Sequence, residues 1–151
     1  MLIKIDDLQG SEIAQLLEAH VVHMRAISPP CSVHALDLTA LRHPSITFWS
    51  AWDAGQLLGC GALKQLDSTH AEVKSMRTAA QHLRKGVAAA LLQTIISTAQ
   101  TRSYHRLSLE TGATAHFQPA YTLYQRFGFE VCEPFGSYTL DPHSVYMTRL
   151  L

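Results

Sequence analysis

The stretch from His70 to Glu110 constrains the fold most. His70–Thr78 reads as a strand, Lys85–Arg102 as a helix, and Tyr104–Glu110 as a strand again. Val87, Leu91, Leu92, Ile95, Ile96 and Ala99 recur at helical spacing and mark one apolar face. Two strands joined by such a helix lie parallel in one sheet, because the crossover returns the chain to the end where it began. Before the helix stands a short basic loop, Gln81-His82-Leu83-Arg84-Lys85-Gly86-Val87-Ala88-Ala89. Helix N-termini leave four N–H groups without backbone partners and carry partial positive charge. Such an end binds phosphate when nothing blocks the approach. Gly86, Ala88 and Ala89 keep the backbone bare, and Arg84 and Lys85 add charge beside it. An ordinary amphipathic helix with a basic start would use the same residues, and this stretch alone does not separate the two.

Two other phosphate loops are excluded. A Walker loop ends in Gly-Lys-Ser/Thr, whereas Gly86 is followed by Val87-Ala88. A dinucleotide fingerprint needs three glycines, and this stretch has one.

The rest of the chain fits around this crossover. Residues 2–6 alternate as a strand. Ser11 is placed to N-cap a helix that runs to about Ala26, ahead of Ser28-Pro29-Pro30. Residues 32–41 suggest a second short helix. Ile46–Asp53, Leu57–Gln65 and His70–Thr78 read as an antiparallel meander, with a hairpin turn at Asp53-Ala54-Gly55-Gln56. Gly59 and Gly61 imply a close approach to the middle strand. After the crossover, Pro119 opens a helix over residues 120–127 and Gly128 stands at its C-cap. Strands at 129–132 and 145–150 complete the order β-α-α-β-β-β-α-β-α-β-β. The expected fold is mixed α/β: a mostly antiparallel central sheet with helices on both faces. No linker, repeat or low-complexity segment interrupts residues 1–151, so a single domain is expected.

Formal net charge is zero, so no broad basic field recruits nucleic acid or an anionic membrane. Cys31, Cys60 and Cys132 are far apart and form no CxxC pair, which argues against a disulfide framework or a zinc knuckle. A reducing, cytoplasmic setting follows. Asp6 and Asp7 come too early for a signal peptide, and no apolar run approaches a membrane span.

Two segments carry a family resemblance. Leu83-Arg84-Lys85-Gly86-Val87-Ala88 is similar to a Gln/Arg-x-x-Gly-x-Gly/Ala loop, with Leu83 in the first position. That change loses one side-chain donor and no backbone donor. Ala120-Tyr121-Thr122-Leu123-Tyr124-Gln125-Arg126-Phe127-Gly128-Phe129 resembles an Ala-x-x-Leu-Tyr-x-x-x-Gly-Phe block. In this order, one helix and one strand apart, they resemble the GNAT superfamily of acyl-CoA-dependent N-acyltransferases across essentially the whole chain. Glu110-Thr111-Gly112, Pro134-Phe135-Gly136 and Asp141-Pro142 are more loosely similar to a bacterial, uncharacterised subgroup.

The resemblance implies acetyl-CoA as cosubstrate and direct attack by a small amine or amino-acid-like acceptor in a ternary complex. It implies CoA pyrophosphate on the N–H groups of Arg84, Lys85, Gly86, Val87, Ala88 and Ala89. It places the backbone of Met76, Arg77 and Thr78 against the pantetheine arm, as an added strand would lie. The Met76 N–H would face the thioester oxygen, and the Tyr124 hydroxyl would protonate the departing sulfur. Glu72 stands fourteen residues before Gly86, the relation of the strand glutamate that acts as base in histone acetyltransferases. Strand alternation puts Glu72, Lys74 and Met76 on one face. A glutamate paired with Lys74 is the plainer alternative.

Other candidates have bland alternatives as well. His20 and His23 share a helix face and would serve as metal ligands or substrate contacts; no third ligand is near, so no metal is expected and a partly exposed pair is the plainer reading. His82 and His116 flank loops and are expected at the surface. Phe48, Trp49 and Trp52 cannot all face one side of a strand; core packing is expected for most, and a homodimer stays open. Ser28-Pro29-Pro30-Cys31-Ser32 is either an acceptor entry or a plain loop. An acyl-CoA-binding sensor without turnover would share the fold and the loop.

Overall fold

In the computed structural model, residues 1–30 and 38–151 are described. The elements are β1 (Leu2–Ile5), α1 (Ser11–Ile27), α2 (Leu38–Leu41), β2 (Ile46–Asp53), β3 (Gln56–Gln65), β4 (His70–Thr78), α3 (Val87–Thr101), β5 (Arg106–Gly112), α4 (Gln118–Arg126), β6 (Glu130–Cys132) and β7 (Ser144–Leu150). Seven strands form one sheet in the order β1-β2-β3-β4-β5-β7-β6. Every pair is antiparallel except β4–β5, the pair that the crossover requires.

Each face of the sheet has its own core. On one, Val87, Leu91, Leu92, Ile95, Ile96 and Ala99 of α3 are all buried against Leu63, Val73, Leu107, Leu109 and Met147. Each large aliphatic side chain buried there contributes about 1.5–3 kcal/mol relative to exposure. On the other, Ile13 and Leu17 of α1 pack with Leu41, Phe48, Cys60 and Ala62. Phe48 and Trp49 therefore serve opposite cores. Trp52 is half-buried, donates from Nε1 to Ser50 Oγ at 2.8 Å, and lies beneath Lys4 Nζ at 5.2 Å from its ring.

The α1 start corrects the sequence reading. Gly10 is the N-cap and Ser11 is already helical, with no side-chain cap bond. Asp6 and Asp7 do the turning upstream instead, accepting from the N–H groups of Leu8 at 2.8 Å and Gln9 at 3.0 Å. Of the second helix, Leu38–Leu41 is helical, and residues 31–37, Cys31 among them, lie outside the described residues.

Two irregularities of β4 position the site. Cys60 pairs with Arg77 and Ala62 with Lys74, so Gly61 alone faces both Ser75 and Met76. This is a β-bulge, with Ser75 at φ 55. A Cβ on Gly61 would stand 2.7 Å from Met76 Sδ and 3.1 Å from Ile95 Cδ1, which is the close approach expected there. Cys60 Sγ, buried and with its pKa pushed up to about 12 by burial, donates to the Ser75 carbonyl at 3.3 Å. The bulge also overturns the simple alternation. Met76 packs into the α3-side core with Val73, while Arg77 joins Glu72 and Lys74 on the α1 side. The extra residue advances the pleat by one and so swaps the faces beyond it.

The second irregularity is that β4 and β5 pair only over His70–Glu72 and Arg106–Ser108. β5 stays bonded to β7 as far as Gly112. From Val73 onward, therefore, the β4 edge has parted from β5.

Candidate active site

A cleft of about 200 Å³ opens where the two strands part. At one end the chain leaves β4 through a 3-10 turn, Ala80–His82, and enters α3. Arg84 has φ 62 and Gly86 has φ 80, a conformation that suits glycine. Gly86 is the α3 N-cap, without a side-chain cap bond. The first helical bond runs from the Ala90 N–H to the Gly86 carbonyl at 3.1 Å. The N–H groups of Val87, Ala88 and Ala89 thus precede the helical ladder. Nothing lies within 4 Å of a Cβ built on Gly86, so the approach is open. Arg84 and Lys85 are exposed. His82, expected at the surface, is buried, and its Nδ1 accepts from Lys85 Nζ at 3.1 Å. The 3-10 turn folds the ring inward, where it tethers the loop lysine.

Tyr124 of α4 lines the middle of the cleft and is buried, edge-on to Phe129 at 5.9 Å between centroids. Burial first, and Glu110 second, raise its pKa, so the hydroxyl keeps its proton. Glu72, only 3% exposed, sits at the last β4–β5 pair. Its Oε2 accepts from Tyr138 Oη at 2.6 Å and from Lys74 Nζ at 3.2 Å. Lys74 Nζ also donates to Tyr138 Oη at 2.9 Å. The pairing with Lys74 expected as the plainer alternative is therefore present. Both bonds fall on Oε2. Tyr138 comes from the loop before β7, where Phe135 and Tyr146 hold its ring at 5.1 and 5.7 Å between centroids. Burial, then Glu72, raise the Tyr138 pKa strongly.

Beyond this cluster, α1 brings His20 and His23 to the cleft, and the 3-10 turn Ala115–Phe117 brings His116. His20 is half-buried, and its pKa is lowered to about 4 by burial, then by Arg77 and His23. The exposed His23 is lowered by burial, Arg77 and His116. Among the described residues, no group of three His, Cys, Asp or Glu side chains is arranged to hold a metal.

Residues 13–129 match the Acetyltransferase (GNAT) family. The chain belongs to that family. It is 58% identical over 151 residues to an uncharacterized N-acetyltransferase, YsnE, of Bacillus subtilis (strain 168), with all of both chains covered. It is 51% identical over 149 residues to an uncharacterized N-acetyltransferase, YedL, of Escherichia coli (strain K12), covering 99% of this chain and 94% of that one. Among solved structures, a proposed acyl-CoA N-acyltransferase from Klebsiella pneumoniae subsp. pneumoniae MGH 78578 superposes with a TM-score of 0.84 at 27% identity, over 99% of this chain and 97% of that one. The protein is an acyl-CoA-dependent N-acetyltransferase.

In this GNAT fold, one cleft gathers Glu72, Met76, Arg77 and Tyr124, and the Arg84–Ala89 loop stands at the end of the parted strand. Tyr138 escaped the sequence reading. It lies in a connection without periodicity, and nothing local ties it to a glutamate on β4. Lys74 was legible as a strand neighbour of Glu72, though not as a donor to Tyr138. Of the suggested acceptor loop, Ser28–Pro30 is described and Cys31-Ser32 is not. No helix among the described residues is long and apolar enough to cross a membrane.

Proposed function

We propose that the enzyme transfers an acetyl group from acetyl-CoA to the amine of a small-molecule or amino-acid-like acceptor, by direct attack within a ternary complex. The observation that carries this reading is the opening of β4 from β5 beside a bare helix start. A long thin ligand with a pyrophosphate fits both features: the free strand edge offers backbone bonds, and the α3 start offers N–H groups and partial positive charge.

Acetyl-CoA supplies an acetyl group activated as a thioester. Arg84 to Ala89 receive the pyrophosphate, and Met76 to Thr78 lie along the pantetheine arm. The Met76 N–H, re-aimed by the bulge, donates to the thioester oxygen as charge builds there. Glu72 Oε1 first takes a proton from the acceptor ammonium, directly or through a water, and the free amine then forms the C–N bond. The Tyr124 hydroxyl, held protonated by burial, donates to the sulfur as the C–S bond breaks.

Thiol release with acetyl-CoA and a panel of primary amines tests this. Turnover with intersecting initial-velocity lines is expected. Parallel lines would indicate a covalent enzyme intermediate and contradict direct attack. CoA binding without release for any amine would make the chain a binding module.

A further inference from the structure

The far side of the cleft holds groups that the roles above leave unused: the Arg77 side chain, His20, His23 and His116. They arrive from β4, α1 and the turn before α4. The bulge sends Arg77 to the α1 side, where it acts electrostatically on both His20 and His23. Arg77 Nε and His20 Nδ1 are both buried without a hydrogen-bond partner among the described residues. No carboxylate among them forms an ion pair with Arg77, whereas Lys74 is committed to Glu72. Arginine stays charged even when burial lowers its pKa, as it does here. A buried donor left unmade costs about 1–3 kcal/mol, more when charged. Arg77 is half-buried and lines the cleft, so an anion bound there would meet this charge.

The charge balance narrows which anion. His20 and His23 are held toward their neutral forms, so Arg77 supplies a single fixed positive charge there. A monoanion matches it better than a phosphate dianion. Glu72 shares the α1 side, and Glu110 lines the same cleft. The cleft thus offers a cation at one place and carboxylates at another, the pattern that a zwitterion needs.

We propose that Arg77 and His20 form a carboxylate subsite, and that the acceptor is an amino acid whose ammonium faces Glu72. The inference rests on the N-acetyl transfer reading above. The ammonium first gives one proton to Glu72; the amino nitrogen then forms the C–N bond to the acetyl carbon, the C–S bond breaks, and the second proton leaves with the CoA thiol. The carboxylate is held by the guanidinium fork and takes no part in the transfer.

The test compares free L-amino acids with their carboxamides, at saturating acetyl-CoA, by thiol release. Wild type should favour the acid in kcat/KM by about 10- to 100-fold, the worth of one charged hydrogen-bond pair. Arg77→Met should erase that preference and Arg77→Lys should recover part of it. Equal use of amides by wild type, or an unchanged ratio in Arg77→Met, would overturn the proposal. Should Arg77→Met not fold by circular dichroism, Arg77→Gln takes its place. Calorimetry with N-acetyl amino acids and their amides, in the presence of CoA, reads the subsite without turnover. Acid-selective binding lost in the Arg77 variant supports the subsite even where no amine is acetylated; binding without selectivity, or none, overturns it.

Discussion

At the α3 end of the cleft, the proposed recognition is made of backbone: a glycine at φ 80 with open space at its Cβ position, and three N–H groups ahead of the helical ladder. At the β4 end it is made of side chains collected from distant parts of the chain. Glu72, Lys74 and Tyr138 form a closed triangle of hydrogen bonds, and His20 and Arg77 meet across two elements. The first end should tolerate side-chain change and respond to added bulk. The second should respond to the loss of single atoms. Affinity for CoA and the rate of chemistry should therefore separate under mutation.

The largest expected effect lies at the side-chain end. Glu72→Gln keeps the shape and removes the proposed base, so kcat/KM should fall about 10²- to 10⁴-fold at neutral pH and lose its acidic limb. A profile matching wild type would leave Glu72 as a purely structural partner of Tyr138. Tyr124→Phe should lower kcat by about 10- to 10⁴-fold with CoA affinity held. Unchanged turnover, with chemistry rate-limiting, would remove its role as proton donor.

How much of each end could be read in the sequence follows from the same contrast. The loop and α3 are local, and all six apolar positions of that helix are buried as their spacing requires. The bulge at Ser75 left no mark in the pattern, because one inserted residue changes neither composition nor β-propensity. Gly61 was the one trace of it, opposite Met76. Met76 was accordingly assigned to the wrong face, and Arg77 was valued for its backbone alone. Tyr138 reaches Glu72 across 66 residues of sequence, and only the folded loop brings them to 2.6 Å. His82 turned inward because a 3-10 turn replaced the plain loop.

A smaller effect concerns stability and sharpens the side-chain half. His20 titrates at about 4 in the folded chain against 6.5 for an unperturbed histidine. The unfolded chain therefore binds its proton more readily. The associated stability is complete above pH 6.5 and is lost as pH falls toward about 4. The shift corresponds to roughly 3 kcal/mol. His20→Leu should thus lose roughly 3 kcal/mol less than wild type between pH 7 and pH 4 in urea unfolding. Parallel losses in the two proteins would mean that His20 is not held neutral.

The smallest effect comes from the loop's charges. Lys85→Met should weaken CoA by only a few-fold and reduce the salt dependence of binding, because exposed charges are worth about 1 kcal/mol or less. A complete loss of binding would shift the weight from backbone to side chain and break the contrast.

The most direct measurement is the CoA dissociation constant by titration calorimetry for wild type, Gly86→Asp and Glu72→Gln, each checked for folding. Asp at position 86 adds bulk and negative charge at the α3 N-cap, where nothing lies within 4 Å of the new Cβ. Gly86→Asp should weaken CoA at least about 10-fold, since repulsion and blocked donors together exceed 1.4 kcal/mol, and Glu72→Gln should keep the wild-type value. Wild-type affinity in a folded Gly86→Asp protein would contradict the proposed backbone recognition.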